Sequence, residues 1–494
     1  MRKKSICFFL WIVSFPLFVF AQKEQEREIT LSETIMMART KSVDAAVALN
    51  ELKTAYWEFR TFRADLLPEM NFEGTLPNYN QSYNSYQNAD GSFGFVRNNT
   101  LGLSGALSIN QNIWLTGGKL SLISSLDFIR QLGSGGDKHF MSVPVSLELA
   151  QPIFGVNRMK WNRRIEPVRY AEAKAAFITA TEEVTMKAIT YYFNLLLAKE
   201  TVGTAKQNQL NAEHLYEVAI AKRKMGQISE NELLQLKLAA LNAKASVTEA
   251  ESNLNAKMFQ LRAFLGMDEE VVLQPIIPES VADMKINYRQ VLDKALERNA
   301  FAQNIRRRQL EADYDVAVAR GNLRSIDLFA SIGYTGEGRQ LAPVYRNLQD
   351  NQVIQVGVKI PILDWGKRRG KVRVAKSNRE VILSKIRQEQ INFNQDIFLL
   401  VEHFNNQARQ LDIAGEADRI AQQRYKTSIE TFLIGKINTL DLNDAQNSKD
   451  EARQKHISEL YYYWYYFYQI RSLTLWDFQK GTELQADFDE IIRN

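Results

Sequence analysis

Asp441 and Asp444 stand three residues apart, a spacing that puts both carboxylates on one face of a helix. Glu232 occupies the position equivalent to Asp441 in an earlier, similar stretch, and Lys436 lies just before the aspartates. The chemistry such a set offers is that of fixed charge: attracting cations, or closing a polar latch. Catalysis is not indicated. The four histidines, His139, His214, His403 and His456, are scattered without metal-ligand spacing, and neither a nucleophile elbow nor a zinc motif occurs. The stretch "GSGGDK" at 133–138 lacks the preceding strand, the Lys-Ser/Thr ending and the following helix of a phosphate cradle, so it reads as a loop. No residue set calls for a cofactor or a metal.

The charged stretches sit at turns between very long helices. Residues 156–265 contain apolar or small residues three and four apart (Ala171, Ala175, Ile178, Ile189, Tyr192, Leu196), with no proline between Pro167 and Pro275. They predict a helix of about 70 residues to Gly226, a rod on the order of 100 Å, and a second helix from Ser229. Gly226 and Gly435 suit the left-handed backbone that ends a helix, and Ser229 and Asn438 follow three residues later. A matching rod is predicted over 366–435, returning over 438–480. Shorter helices are expected at 30–66, capped by Thr30 or Ser32 and ended before Pro68, and at 286–322.

Between helices the apolar period drops from 3.6 to 2. Leu101, Leu103, Gly105, Leu107 and Ile109 alternate with small or polar residues, as do Val143, Val145, Leu147 and Leu149, and later Ile354, Val356, Val358 and Ile360. Strands of about ten residues are expected, four over 69–152 and two over 326–362. Residues 78–99 are polar and rich in Asn and Tyr and predict a long outward loop, and Thr116–Lys119 a tight turn. Alternation alone fits a soluble β-sandwich or a membrane-spanning β-barrel; the address and the rods select the barrel.

That address is at the N-terminus. Arg2, Lys3 and Lys4 precede an apolar run from Ile6 to Phe20, and Ala21-Gln22 is a cleavage point, so residues 1–21 read as a signal peptide. The single cysteine, Cys7, lies in the front half of that run rather than at its end, where a lipidated cysteine belongs. Removing three positive charges from the net +5 leaves about +2, which argues against nucleic acid as a partner.

The second half of the chain repeats the first. Gly226 and Ile228 match Gly435 and Ile437 at an offset of 209, whereas Ile35 and Ala38 match Leu292 and Ala295 at 257. The difference, 48 residues, falls between Pro77 and Pro152 and has the size of one additional strand hairpin. The expected organisation is thus a first repeat at 22–285 (helix, strands at 69–152, helical hairpin at 156–265, connector) and a second at 286–494 (helix, strands at 326–362, hairpin at 366–480, tail). Six strands cannot close a transmembrane barrel, for which about eight is the smallest number, so several subunits must pool theirs.

Nearly all of the mature chain resembles the TolC-like outer membrane efflux proteins. The resemblance rests on "LLPEM" before a strand, "AQPIFG" and "KIPILDWGKRRG" after strands, the two tips "KRKMGQISENELL" (222–234) and "FLIGKINTLDLNDAQ" (432–446), and the aromatic tail. It implies a mixed α/β membrane protein, a homotrimer in which a transmembrane β-barrel continues into a hollow α-helical barrel of coiled-coil hairpins in the periplasm. Such a protein is the outer-membrane exit duct for an inner-membrane pump, joined through a periplasmic adaptor. By the same resemblance Asp441 and Asp444 line an acidic constriction, Glu232 and Lys436 join a polar network that holds it shut, and Phe432 stands where an aromatic of that network is expected, without a hydroxyl to donate. Gly226, Ile228, Ser229, Gly435, Ile437 and Asn438 form the tips that meet the adaptor; Ile228 and Ile437 equally fit packing inside each hairpin. The additional hairpin makes 18 strands the expectation for the trimer rather than 12. A basic cluster below the strands (Lys367, Arg368, Arg369, Lys371, Arg373, with Arg158, Lys160, Arg163 and Arg164) fits lipid phosphates or a solvated collar, and the aromatic run Tyr461–Tyr468 fits packing on the connector. The other class of function open to these rods is a non-conducting, membrane-anchored scaffold or adhesin.

Overall fold

The computed structural model describes residues 25–132, 136–268, 270–278, 284–359 and 362–493. The expected signal peptide, residues 133–135 of the glycine loop, and Ile360 and Pro361 lie outside the described residues. In chain order the elements are β1 (Gln25–Ile29), α1 (Leu31–Lys41), α2 (Val43–Ala64), β2 (Glu69–Gln87), β3 (Phe93–Ile113), β4 (Gly118–Gln131), β5 (Lys138–Pro152), α3 (Arg158–Lys224), α4 (Glu230–Leu265), β6 (Val271–Pro275), α5 (Tyr288–Arg298), α6 (Ala300–Gly321), β7 (Ser325–Gly338), β8 (Gln349–Lys359), α7 (Lys367–Leu433) and α8 (Thr439–Thr474), before a short tail. Every long helix of one half recurs in the other with the same length: α3 and α7 have 67 residues each, α4 and α8 36, α2 and α6 22. Among the described residues no helix is long and apolar enough to cross a membrane.

Helices expected to be continuous are broken. Ser42 separates α1 from α2 and Asn299 separates α5 from α6, each with an extended backbone (ψ 150 and 149). Each break residue donates its N–H to the carbonyl four residues back, Ala38 or Ala295, and Asn299 then caps the next helix by accepting from Phe301 N–H at 2.8 Å. Neither break carries a proline or glycine, so nothing local announced it. The return helix α8 stops at Thr474, six residues before the expected Lys480, because Leu475 turns left-handed (φ 50).

The chain divides into two compact units. The first holds Lys187–Val281, Ala414–Tyr461 and the described residues up to Val43. In it β1 and β6 pair in parallel, a two-stranded sheet joining the start of the first repeat to its connector. Tyr192 holds that pair: its phenol donates to the carbonyls of Ile276 and Ile29 and accepts from Ile276 N–H at 3.1 Å.

The second unit holds Asp44–Met186, Ala282–Ile413 and Tyr462–Asn494. Its six strands form one antiparallel sheet in the order β2-β3-β4-β5-β7-β8, four from the first half and two from the second. β2 and β3 run to 19 and 21 residues, twice the expected length, because residues 78–87 and 93–99 pair with each other instead of forming a loop. Their turn is tied by Asp90, which accepts from the N–H and hydroxyl of Ser92 at 2.9 and 2.7 Å. Pairing satisfies the backbone of this Asn-rich ribbon; polar composition hid an alternation (Tyr79, Gln81, Tyr83) that was present.

Register gives the sheet two different faces. Met70, Ile109, Leu122, Leu147 and Ile332 are direct cross-strand partners in succession, an apolar row over five strands. One residue along, Glu69, Asn110, Ser121, Glu148 and Ser331 form a polar row, which strand alternation puts on the opposite face. Met70, Leu122, Leu147 and Ile332 are all exposed, so nothing among the described residues covers the apolar face. The helices of this unit are joined by ion pairs, Arg307 with Glu172 at 2.6 Å and Arg308 with Glu389 at 2.5 Å, and by Tyr463 and Phe467, buried against Phe404.

Candidate functional site

Both hairpin tips lie in the first unit and are built alike. Gly226 (φ 71) ends α3 and Gly435 (φ 79) ends α7; Gly226 N–H returns to Arg223 O and Gln227 N–H to Lys222 O, as Gly435 N–H does to Phe432 O and Lys436 N–H to Thr431 O. These paired bonds satisfy carbonyls that a helix end otherwise leaves open. A Cβ at either glycine would meet nothing within 4 Å, so the backbone angle, not space, requires glycine there. Ser229 then starts α4 with a reciprocal cap: its hydroxyl accepts from Glu232 N–H at 3.2 Å, and the Glu232 carboxylate accepts from Ser229 N–H at 2.8 Å. Asn438 starts α8 the same way, accepting from Asp441 N–H at 2.9 Å.

Within one chain the residues expected in the latch have other partners. Glu232 is committed to its own helix start, and the Ser229 N–H and hydroxyl hold its carboxyl below the usual range. Among the described residues Lys436 makes no ion pair, so Glu232 and Lys436 do not meet within the chain. The cation near Phe432 is Lys222, 5.8 Å above the ring and donating to Leu433 O at 3.3 Å. Asp444 is paired with Arg424 at 2.5 Å, whereas Asp441 keeps an exposed carboxylate with only a long contact to Asn438 N–H, 3.4 Å.

The tips rest on a small core of Leu215, Ala219, Leu236, Tyr425, Leu442 and Ala445, against which Ile228 and Phe432 pack. Ile228 is therefore half-buried packing rather than a free knob, and Ile437 is also only half-exposed. Met225 and Ile434, immediately before the two glycines, are exposed, as is Leu440 at the start of α8. Their signal was an apolar residue at the last position before a helix-ending glycine, where burial is least expected. Behind the core, Tyr425 accepts from Asn211 at 3.1 Å, burial pushing its phenol pKa up, and Arg453 joins Glu200 (2.8 Å) to the buried Asp418 (3.2 Å). No group of three or more metal-ligating side chains occurs among the described residues.

The family model described as outer membrane efflux protein matches residues 34–267 and 291–463. A search of the curated proteins returns no match. Among solved structures, the CmeC outer membrane channel of Campylobacter jejuni superposes with a TM-score of 0.65 at 16% identity, covering 94% of this chain and 88% of that one. The outer membrane protein VceC of Vibrio cholerae gives 0.61 at 14%, covering 90% and 95%. The open state of the Neisseria gonorrhoeae MtrE outer membrane channel gives 0.58 at 15%, covering 90% and 88%. At these identities the structures establish a shared fold, and the family match covers most of the chain. This chain belongs to the outer membrane efflux protein family, non-enzymatic TolC-like transport channels of the Gram-negative outer membrane with a periplasmic extension.

Proposed function

We propose that three copies of this chain close into one duct, an 18-strand barrel in the outer membrane continued by a helical barrel, which forms the last stage of an export assembly. The observation that carries this is the sheet: six strands with free edges at β2 and β8, an uncovered apolar face and a polar reverse. A soluble sandwich would cover the apolar rows, whereas lipid covers them at no cost, and the polar row would then line the bore. Six strands are too few to close alone.

The chain is built as two repeats, 22–285 and 286–494, after a signal peptide at 1–21. The equal lengths of the paired helices support this, as do the breaks at Ser42 and Asn299, 257 residues apart like the shorter helices themselves. The tips, Gly226, Ile228, Ser229, Gly435, Ile437 and Asn438, place Met225 and Ile434 where a periplasmic adaptor and, through it, an inner-membrane pump would engage. Asp441 and Asp444 form the acidic entrance, Asp441 carrying the uncompensated charge.

Single-channel recording of the purified full chain in planar bilayers, with its mass in detergent, tests this reading. Trimers passing cation-selective current are expected. Silent bilayers, as from a scaffold or adhesin, or monomers only, would overturn it.

A further inference from the structure

Where the sheet turns into the helices, the two halves of the chain differ, although their sequences align at the 209-residue offset. In the first half Asn157 closes the turn: its amide donates to Trp114 O and Leu115 O at 2.8 and 3.0 Å, and its Oδ1 accepts from Lys160 N–H. Arg163 lies 3.8 Å over the Trp114 ring, so a cation and an aromatic there are already occupied with each other. The turn that Asn157 grips belongs to the additional strand hairpin.

The second half has no such hairpin, and Gly366 stands at the position of Asn157. A groove of about 920 Å³ remains open there between the end of β5, the end of α6 and the start of α7. Its floor is tight, since Gly321 approaches so closely that a Cβ would lie 2.9 Å from Val156 N. Its rim is apolar and unprotected: Ile362 is 100% and Trp365 90% exposed. Trp365 also holds a left-handed backbone (φ 54) that only glycine adopts freely, so a strained conformation presents this indole outward. Arg320, Arg324 and Arg369 line the same groove. Asp364 lines it too, its carboxylate accepting from the N–H groups of Gly366 and Arg368 at 2.9 and 3.2 Å and held below the usual range by those bonds, with the Arg368 and Arg369 charges adding to the effect; among the described residues no carboxylate lies within salt-bridge distance of the three arginines. Arg324 lies 4.7 Å over the Phe154 ring, whereas Arg368 is spent on the carbonyls of Asn322 and Leu323.

We infer that this groove binds one anionic phospholipid of the periplasmic leaflet, its phosphate held by Arg320, Arg324 and Arg369 and its acyl chains lying on Ile362 and Trp365. Guanidiniums match phosphate oxygens in pairs, and aromatic side chains near the end of membrane strands sit at the headgroup level. An apolar rim beside three guanidiniums, none within salt-bridge distance of a carboxylate, fits an amphiphile better than a free anion. The inference rests on the reading that the sheet spans the outer membrane.

Native mass spectrometry of the full-length protein released from nanodiscs containing equal phosphatidylglycerol and phosphatidylcholine tests it. Phosphatidylglycerol should be retained in preference, and each of Arg320→Gln, Arg324→Gln and Arg369→Gln should weaken its retention roughly fivefold. Trp365→Gly, which relieves the backbone, should also lower retention while leaving thermal stability unchanged or higher, a combination that misfolding cannot produce. Glycerol phosphate alone should not compete. Equal retention of both lipids, or displacement by glycerol phosphate, would overturn the inference. So would arginine variants that shed subunits with lipid retention unchanged, the mark of a groove covered by a second copy. Conducting trimers without lipid preference would remove the groove and leave the channel reading intact.

Discussion

Arg424 of α7 donates to the carboxylate of Asp444 of α8 at 2.5 Å, and its other nitrogen reaches Ser448 at 3.2 Å. Of the two aspartates expected to act together at the entrance, one is neutralised by its own hairpin and the other is not. With both partners half or more exposed, the pair contributes at most about 1 kcal/mol to stability, so its effect is on the field at the entrance rather than on folding.

Asp441→Asn should therefore reduce the cation preference of the open channel more than Asp444→Asn does, and Arg424→Gln should increase it by releasing the Asp444 charge. The double variant Asp441→Asn with Asp444→Asn should raise resting conductance. Reversal potentials under a salt gradient measure the selectivities and single-channel currents the resting conductance; selectivity unchanged in every variant removes the carboxylates from the entrance.

The start of α4 depends on the reciprocal cap of Ser229 and Glu232. Ser229→Ala should cost about 1 kcal/mol. Glu232 has its pKa lowered from 4.5 by bonds that exist only in the folded state. Its contribution is present above pH 4.5 and disappears as pH falls through the lower folded value. Thermal melts of wild type and Glu232→Gln from pH 7 to 3 should show a stability gap that closes below 4.5; a constant gap contradicts the cap.

Tyr192 ties β1 and β6 through one phenol, and burial pushes its pKa up to about 12. Tyr192→Phe removes the phenol from Ile276 O, while Ile276 N–H keeps its bond to Ile29 O at 3.2 Å, at a cost of about 1–3 kcal/mol. Because the folded state keeps the proton to a higher pH than the unfolded one, stability should fall as pH rises from 10 towards 12, and the phenylalanine variant should lack that component. Hydrogen exchange at 25–29 and 271–275 reports it: faster exchange in the variant is expected, and protection equal to wild type would rule the tie out.

Arg471 is buried between Glu182 (3.6 Å) and Asp477 (3.1 Å), near the end of α8. Arg471→Leu removes the cation that sits between Glu182 and Asp477 and should cost about 3–5 kcal/mol. Adding Glu182→Leu should recover part of that loss. Denaturant midpoints of the two variants decide; a double variant no more stable than the single one would show that the pair is not coupled.

The long helices were readable from sequence because their cause is local: a 3.6-residue periodicity that Pro167 near the start of α3 and the isolated Gly203, Gly370 and Gly415 do not interrupt, and Gly226 or Gly435 where α3 and α7 end. The strands were readable for the same reason, from a period of two. What depends on distant residues was not readable. Ser42 and Asn299 break their helices without a local breaker, and β1 and β6 pair across some 240 residues of chain. The Tyr- and Asn-rich ribbon became strand only because a second segment satisfied its backbone.

Near the tips, residue type correctly marked charge and turn but not partnership. Glu232 turned to its own cap, Asp444 to Arg424, and Ile228 inward, while Met225 and Ile434 came to the surface. Sequence periodicity determines which side of an element is apolar, because the backbone repeat orders side chains along it. Which charge meets which, and which apolar residue is left uncovered, was decided only by tertiary packing, because those contacts join residues the repeat does not relate.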